Sequence, residues 1–302
     1  MMVWATDFRP STLGGIVGQD AIVAELMAIV TDDAPMQHYI FYSPEAGTGK
    51  TSVAHALAND LGYQLVVFNA SSKRERGIAF VEETIIPMTR SGIKERIFLL
   101  DEADQLTDDA QSALKGVIEN AAGYFILTCN RLPKVSRWLQ SRCQVRTFQP
   151  IGHEHMMEQL SKIAVAKCGT QIRNRSIEIV AKAHPGDLRN AIGALQTYAN
   201  LKRRDAEMFL DSLTAPSVDF KRFLRLCFVE KAYDNAVSLL KGEVRHQVRE
   251  CFSFAVKGNA GTESKMRVIE AAITAERDLL NGVDEEVVRH NFVRMLVGGG
   301  QA

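Results

Sequence analysis

The sequence carries no excess of either charge: 36 Lys and Arg stand against 36 Asp and Glu. That balance excludes a globally basic DNA binder. It leaves room for a local basic surface, because binding responds to where charge sits. No CxxC pair occurs among the five cysteines, Cys129, Cys143, Cys168, Cys227 and Cys251, and no histidine lies at metal-ligand spacing from them. They read as reduced cytosolic thiols, not as a disulfide framework or a zinc site. Apolar runs such as Ile97 to Leu100 are far too short to span a membrane, so no membrane partner is expected. The first ten residues, MMVWATDFRP, lack the basic-then-apolar order of a signal peptide. Internal repeats and low-complexity tracts are also missing. What is there is a chain of 302 residues, 46% of them apolar. That is enough for two or three domains and a sizeable core without staples.

The first half alternates two kinds of segment. Short apolar runs at His38 to Tyr42, Leu65 to Phe68, Ile97 to Leu100, Tyr124 to Thr128 and Val145 to Phe148 are rich in Val, Ile, Phe and Tyr, the composition of buried strands. Between them lie helical patterns. In one, Val53, Ala54, Leu57, Ala58 and Leu61 fall on one face. Strands alternating with helices predict an α/β fold, a parallel sheet covered on both faces. Past Pro150 no convincing strand follows. Met156 to Cys168, Ser176 to His184 and Leu188 to Leu201 read as helices, with Pro185-Gly186 as a break. A further boundary is expected near Pro216. Beyond it, Phe220 to Leu240, Val244 to Val256 and Lys265 to Leu280 read as helices, with Gly258 to Gly261 as a break and a frayed glycine tail at Gly298-Gly299-Gly300.

Pro44-Glu45-Ala46-Gly47-Thr48-Gly49-Lys50-Thr51 follows a predicted strand and opens a predicted helix, the context a P-loop needs. Gly47 and Gly49 let backbone N–H groups turn toward phosphate oxygens. The helix starting near Lys50 aims its positive dipole end at the same anion. Lys50 adds a point charge for the β- and γ-phosphates, and the Thr51 hydroxyl can ligate Mg²⁺. Pro44 replaces the usual first glycine, which predicts a variant loop whose φ is fixed there.

A second element, Ile97-Phe98-Leu99-Leu100-Asp101-Glu102-Ala103-Asp104, ends an apolar strand in acids. Those acids sit at the carboxyl edge where open α/β sheets bind ligands. Asp101 suits Mg²⁺ held through its water shell, and Glu102 suits the general base that polarises the attacking water. Asp104 has a competing reading as a helix cap. Asn130, at the end of another strand, either orients the water, touches the γ-phosphate or merely forms a turn. Arg142, in Ser141-Arg142-Cys143, is either structural or a finger reaching a neighbour's phosphate. Ser72, Lys73, Arg74 and Arg76 form a short basic run after Ser71, with Arg90 and Lys94 nearby in sequence. If the serines cap a helix start, its free N–H groups and the adjacent cations would contact DNA phosphates without reading sequence. Otherwise the run, interrupted by Glu75, is a solvated loop.

Taken in order, the P-loop, Asp-Glu-Ala-Asp, strand-Asn, Ser-Arg-Cys and Gly186-Asp187-Leu188-Arg189 resemble AAA+ ATPases of the clamp-loader clade. The likeness covers roughly residues 4–200 and extends to replication factor C small subunits and to the ATPase subunit of T-even-type phage loaders. Trp4 to Gly18 resembles the family's adenine-pocket segment, including Arg9-Pro10 and Val17-Gly18. Asn69 to Gly77 and Gln111 to Glu119 resemble the segments after its second strand and after its acidic box.

The resemblance implies three parts: a nucleotide-binding domain at 1–150, a helical lid at 151–214 and an oligomerising helical collar at 215–302. It implies binding of ATP and Mg²⁺, with Glu45, Ala46 and Thr48 in the phosphate loop. Arg142 would act in trans, and Arg189 would read the γ-phosphate from the lid of its own subunit. The implied partners are other clamp-loader subunits in a hetero-pentamer with several copies of this chain, a sliding clamp and primer–template DNA. The implied setting is the cytoplasm of a bacterial or phage-infected cell, or the nucleus in a eukaryote. Rival readings are a DEAD-box helicase, which needs a second α/β domain, and another AAA+ DNA-remodelling ATPase.

Overall fold

The computed structural model describes residues 3–90, 92–169, 172–214, 218–258 and 261–298. The expected boundary at Pro216, the middle of the Gly258 to Gly261 break, and Gly299 and Gly300 lie outside the described residues. The chain divides into two compact units, Met1–Leu213 and Thr214–Ala302.

In the first unit, α1 (Trp4–Asp7) and α2 (Asp20–Val30) precede strand β1 (Tyr39–Tyr42) and helix α3 (Lys50–Leu61). Then come β2 (Gln64–Asn69), the short helices α4 (Ile78–Phe80) and α5 (Ile86–Thr89) joined by a π turn at Val81–Ile85, and β3 (Arg96–Asp101). Helix α6 (Asp108–Asn120), β4 (Tyr124–Cys129), α7 (Arg137–Arg142) and β5 (Gln144–Thr147) complete the sheet layer. All five strands run parallel in the order β2-β3-β4-β1-β5. Each predicted strand is present, displaced by at most a residue or so at its ends.

The sheet is buried on both faces because successive residues of a strand point to opposite sides. Ile97 and Leu99 pack with Leu26, Val53 and Leu57 under α2 and α3. Phe98 and Leu100 pack with Ile85, Leu114 and Leu139 on the other face. Phe98 stacks on Phe125 of the next strand at a centroid distance of 5.0 Å. Helix α6 starts where Thr107 accepts from the Ala110 amide at 3.2 Å, with Asp108 and Asp109 in its first turn, favourable for cap and dipole alike.

After the sheet, α8 (His153–Cys168), α9 (Asn174–Ala183), α10 (Leu188–Asn200) and α11 (Arg203–Thr214) are helical. They gather a separate core from Met156, Leu160, Val180, Ile192 and Leu195. Trp4, from the far N-terminus, is buried in that same core.

The second unit is all helix among the described residues: α12 (Phe220–Arg225), a π turn at Leu226–Glu230, α13 (Tyr233–Leu239), α14 (Val244–Lys257), α15 (Thr262–Leu280) and α16 (Glu285–Val297). The expected single helix from Phe220 to Leu240 is corrected here. Lys231 turns left-handed, with φ +52°, and splits it in two. Phe223, Cys227, Val248, Val268 and Phe292 form the core of this unit. No second α/β domain occurs among the described residues, which removes the helicase reading.

Gly123 opens β4 with φ +99°, and a Cβ there would stand 2.8 Å from the Arg96 carbonyl. Gly123→Ala is therefore strained in both backbone angle and space. Chemical denaturation should show a loss of about 1–3 kcal/mol.

Candidate functional site

One cleft gathers the carboxyl ends of β3 and β4, the start of α3, the N-terminal segment and the first turn of α10. Its phosphate-facing side begins where β1 runs into the loop 43–49. Gly47 and Gly49 take left-handed φ of +69° and +98°, so the loop can wrap around the start of α3. A Cβ on Gly47 would lie 1.8 Å from Asp187 Oδ1, so no larger residue fits between the loop and the start of α10. Asp187 is itself held as the cap of α10, accepting from the Asn190 amide at 3.0 Å.

Gln19, 4% exposed, clasps the loop to the segment that follows β5. Its Nε2 donates to the Thr48 carbonyl at 3.2 Å and to the Gln149 carbonyl at 2.7 Å, while its Oε1 accepts from the Gln149 amide at 3.2 Å. Thr48 Oγ1 is buried without a hydrogen-bond partner. Such an orphan costs about 1–3 kcal/mol. In a loop lining this cleft, an acceptor-rich ligand would satisfy it, so the residues fit a phosphate chain.

Lys50 is 9% exposed, and its Nζ donates to the Glu45 carbonyl at 2.9 Å. Burial pulls its pKa down to about 8. The Asp101 carboxylate opposes that pull, and the Arg189 cation adds to it. Cys129 beside it stays a neutral thiol, pushed up to about 12 by burial.

Asp101 is the hub. Its Oδ1 accepts from the Thr51 hydroxyl at 2.9 Å and from the Thr128 hydroxyl at 2.5 Å. A hydroxyl and a carboxylate together at the phosphate loop fit Mg²⁺. That ion takes few protein ligands and completes its shell with phosphate oxygens and water. No group of three or more Asp, Glu, His or Cys side chains placed to hold a metal ion occurs among the described residues.

Glu102, next in sequence, sits in the left-handed region at φ +57°, with its amide donating to Thr128 Oγ1 at 3.1 Å. Strain of that kind in a non-glycine residue costs about 1–3 kcal/mol and collects at functional sites. Its effect is to leave the Glu102 side chain exposed at the cleft. Asp104 does not cap the following helix; Thr107 does that. Instead, the buried Asp104 carboxylate accepts from the Asn130 amide at 3.3 Å and lies 3.9 Å from Arg131, so it orients the Asn130 turn.

Arg9, Pro10 and Val17 line the cleft together with Ala46, Gly47, Thr48, Gly49, Lys50, Thr51, Asp101, Glu102, Asn130 and Arg189. Phe8, Ile16, Leu188 and Ile192 give the cleft an apolar stretch of wall that suits a flat heterocycle. Gly18 and Glu45 do not line it. Gly18 turns against Ile151, and Glu45 offers its main-chain carbonyl to Lys50.

Arg142 is absent from the cleft of its own chain. It ends α7 in an ion pair with Glu119, Nε to Oε1 at 2.6 Å. Nor does the basic run reach the cleft. Ser71 and Ser72 do not cap a helix start: α4 begins at Ile78 after Gly77. Asn69 Oδ1 accepts from the Ser71 amide and hydroxyl, and Glu75 accepts from the Asn69 amide at 2.6 Å, which closes residues 69–77 into a turn. Lys73, Arg74 and Arg76 stand exposed on that turn.

Thr128 and Gln19 were missed at the level of sequence. A signal existed for Thr128. The β3–β4 register pairs Leu100 with Leu127, so Asp101 and Thr128 are each one step further along neighbouring strands. Nothing in the sequence marked Gln19.

Comparison with known proteins places this geometry. The profile of the AAA family, "ATPase family associated with various cellular activities", matches residues 39–151. The replication factor C small subunit of Staphylothermus marinus is 32% identical over 98% of this chain and 94% of its own length. That of Aeropyrum pernix is 31% identical over 98% and 95%, and that of Archaeoglobus fulgidus 38% identical over 64% and 63%. These relatives are archaeal, and they lend no support to the expected bacterial or phage setting. Among solved structures, the Holliday junction branch migration motor RuvB of Thermotoga maritima covers 97% of this chain and 91% of its own, with a TM-score of 0.58. At 17% identity, that likeness speaks for the fold alone. With near-full-length identity above 30% and the phosphate-loop motif, the acid hub and the α10 arginine in one cleft, the chain belongs to the replication factor C small subunit family of AAA ATPases.

Proposed function

We propose that the chain is the ATPase subunit of a DNA sliding-clamp loader, coupling ATP binding and hydrolysis to opening a clamp and placing it on primer–template DNA. The observation that carries this reading is the Asp101 hub. Two hydroxyls from two elements meet one carboxylate beside a buried lysine, in a chain similar along nearly its whole length to replication factor C small subunits. Lys50 and the loop amides take the phosphates, and Thr51 and Asp101 would hold Mg²⁺, which supplies charge neutralisation there. Glu102 polarises the attacking water, Asn130 orients it, and Arg189 reads the γ-phosphate from the lid.

Arg142 completes a neighbour's site; its absence from its own cleft supports that role. The Glu119 carboxylate holds it meanwhile. A sheet domain to residue 150, a lid to 214 and an oligomerising collar from 215 would build a hetero-pentamer with several copies of this chain, working in the cytoplasm. Lys73, Arg74 and Arg76, exposed on a closed turn, contact DNA backbone phosphates.

Four measurements test this. Lys50→Ala should abolish ATP binding in a filter or calorimetric assay. Glu102→Gln should keep binding and slow turnover by about 10²–10⁴-fold; wild-type turnover would assign the base elsewhere. Arg142→Ala and Lys50→Ala subunits, each inactive alone, should regain ATPase activity when mixed, at interfaces pairing an intact loop with an intact finger. No recovery in mixed assemblies shown to form would refute the trans role. Replacing Arg74 and Arg76 with Ala should weaken DNA binding for all sequences alike and reduce the log–log salt slope by about 1.8, at about 0.9 per lost phosphate contact.

A further inference from the structure

The segment that carries Arg9 and Pro10 is tied down at both ends, and the side chains that hold it, Gln196, Lys167, His55, Asn59 and Asp60, do not line the cleft. At its start, Trp4 is buried in the lid core, and its amide donates to Gln196 Oε1 of α10 at 2.9 Å. Asp7 pairs with Lys167 of α8 at 3.0 Å. At its far end, three side chains of one helix receive it. Arg9 lies 3.3 Å from His55 Nε2, the Asn59 amide donates to the Ser11 carbonyl at 2.9 Å, and Asp60 Oδ2 accepts from the Leu13 amide at 2.7 Å.

His55 and Asn59 stand one turn apart on one side of α3, and Asp60, next to Asn59, sits about 100° further round the same helix. Arginine has no acceptor, so His55 must accept at Nε2 and carry its proton on Nδ1. Thus α3 grips the phosphate chain at its N-terminus, through Lys50 and Thr51, and holds the strap over the cleft along its length. None of His55, Asn59 and Asp60 lines the cleft.

We infer that His55, Asn59 and Asp60 are positioning residues: they press residues 9–13 against α3 so that Phe8, Pro10, Ile16 and Val17 close a wall around the nucleobase. Their contribution goes to the base end of the nucleotide and not to the phosphates. The strap's other end, in the lid, makes that wall sensitive to where the lid stands. This inference rests on the nucleotide-site reading above.

The test separates base from phosphate. Binding of ATP is measured by titration, and binding of inorganic tripolyphosphate by competition against a fluorescent ATP analogue, for wild type, Asn59→Ala/Asp60→Ala and Asp60→Asn. The double variant should bind ATP roughly tenfold more weakly, the scale of losing a charge-assisted and a neutral hydrogen bond that fix the wall. Tripolyphosphate affinity should stay within about twofold of wild type, because Lys50 and the loop are untouched. Asp60→Asn keeps an acceptor for the Leu13 amide and should remain close to wild type for both ligands. Equal weakening toward ATP and tripolyphosphate, or a melting temperature collapsed with both, would mean the contacts only stabilise the fold, and the inference falls. Unchanged ATP affinity in the double variant would overturn it as well. A wild-type chain that fails to bind ATP would instead remove the nucleotide reading beneath it.

Discussion

A single carboxylate oxygen joins the parts of this site that the chain brings from far apart. Asp101 Oδ1 accepts from Thr51 on the loop helix and from Thr128 on β4, residues 50 and 27 positions away. The Thr128 oxygen also receives the Glu102 amide, so the backbone that aims the acid is fixed by the same hydroxyl. Because β3 and β4 are neighbours in the sheet, their carboxyl ends coincide, and any side chain just past the last paired residue projects at the same edge. The sheet order is therefore part of the chemistry.

Around that hub the connections are polar clasps between elements distant in sequence. Gln19 closes the loop onto the segment that follows β5. Gln111, 2% exposed, does similar work on the other face: it donates to the Lys134 carbonyl at 3.0 Å and accepts from the Ser136 amide at 2.7 Å. A buried amide with all its capacity used is hard to replace, since an apolar substitute leaves main-chain groups unpaired. Helix α3 is held in the same manner, by the strap on one side and by the apolar core on the other.

The strands were legible because a sheet buried on both faces demands unbroken apolar runs, and Ile97 to Leu100 or Tyr124 to Thr128 offer little else. Glycines with a lysine and threonine after a strand made the loop legible, since few other functions need that set. Several elements were not. Helix α16 has no counterpart among the predicted helices, although Asp284 caps it and Val288, Phe292, Val293 and Leu296 share one buried face. The break inside Phe220 to Leu240 was invisible because Lys231 is not a residue that announces a left-handed turn. The turn at 69–77 went astray for a clearer reason. Serine suits both helix caps and turns, and only the reach of Asn69 and Glu75 decides between them.

Three features that cost stability converge on this one cleft. Lys50 is buried enough that its charge is disfavoured and its pKa falls to about 8. Thr48 keeps a buried hydroxyl without a partner. Glu102 holds a left-handed backbone with no glycine to ease it. In an ordinary core each would be a target for repair, and natural stabilising substitutions remove such defects readily where nothing else needs them. Their coincidence in the cleft that holds the Asp101 hub is explained if the cleft takes a polyanion. Phosphate oxygens would neutralise the lysine and accept from the threonine, and a water placed against them would give the strained acid its task. The free protein bears the cost so that little has to rearrange when the nucleotide arrives.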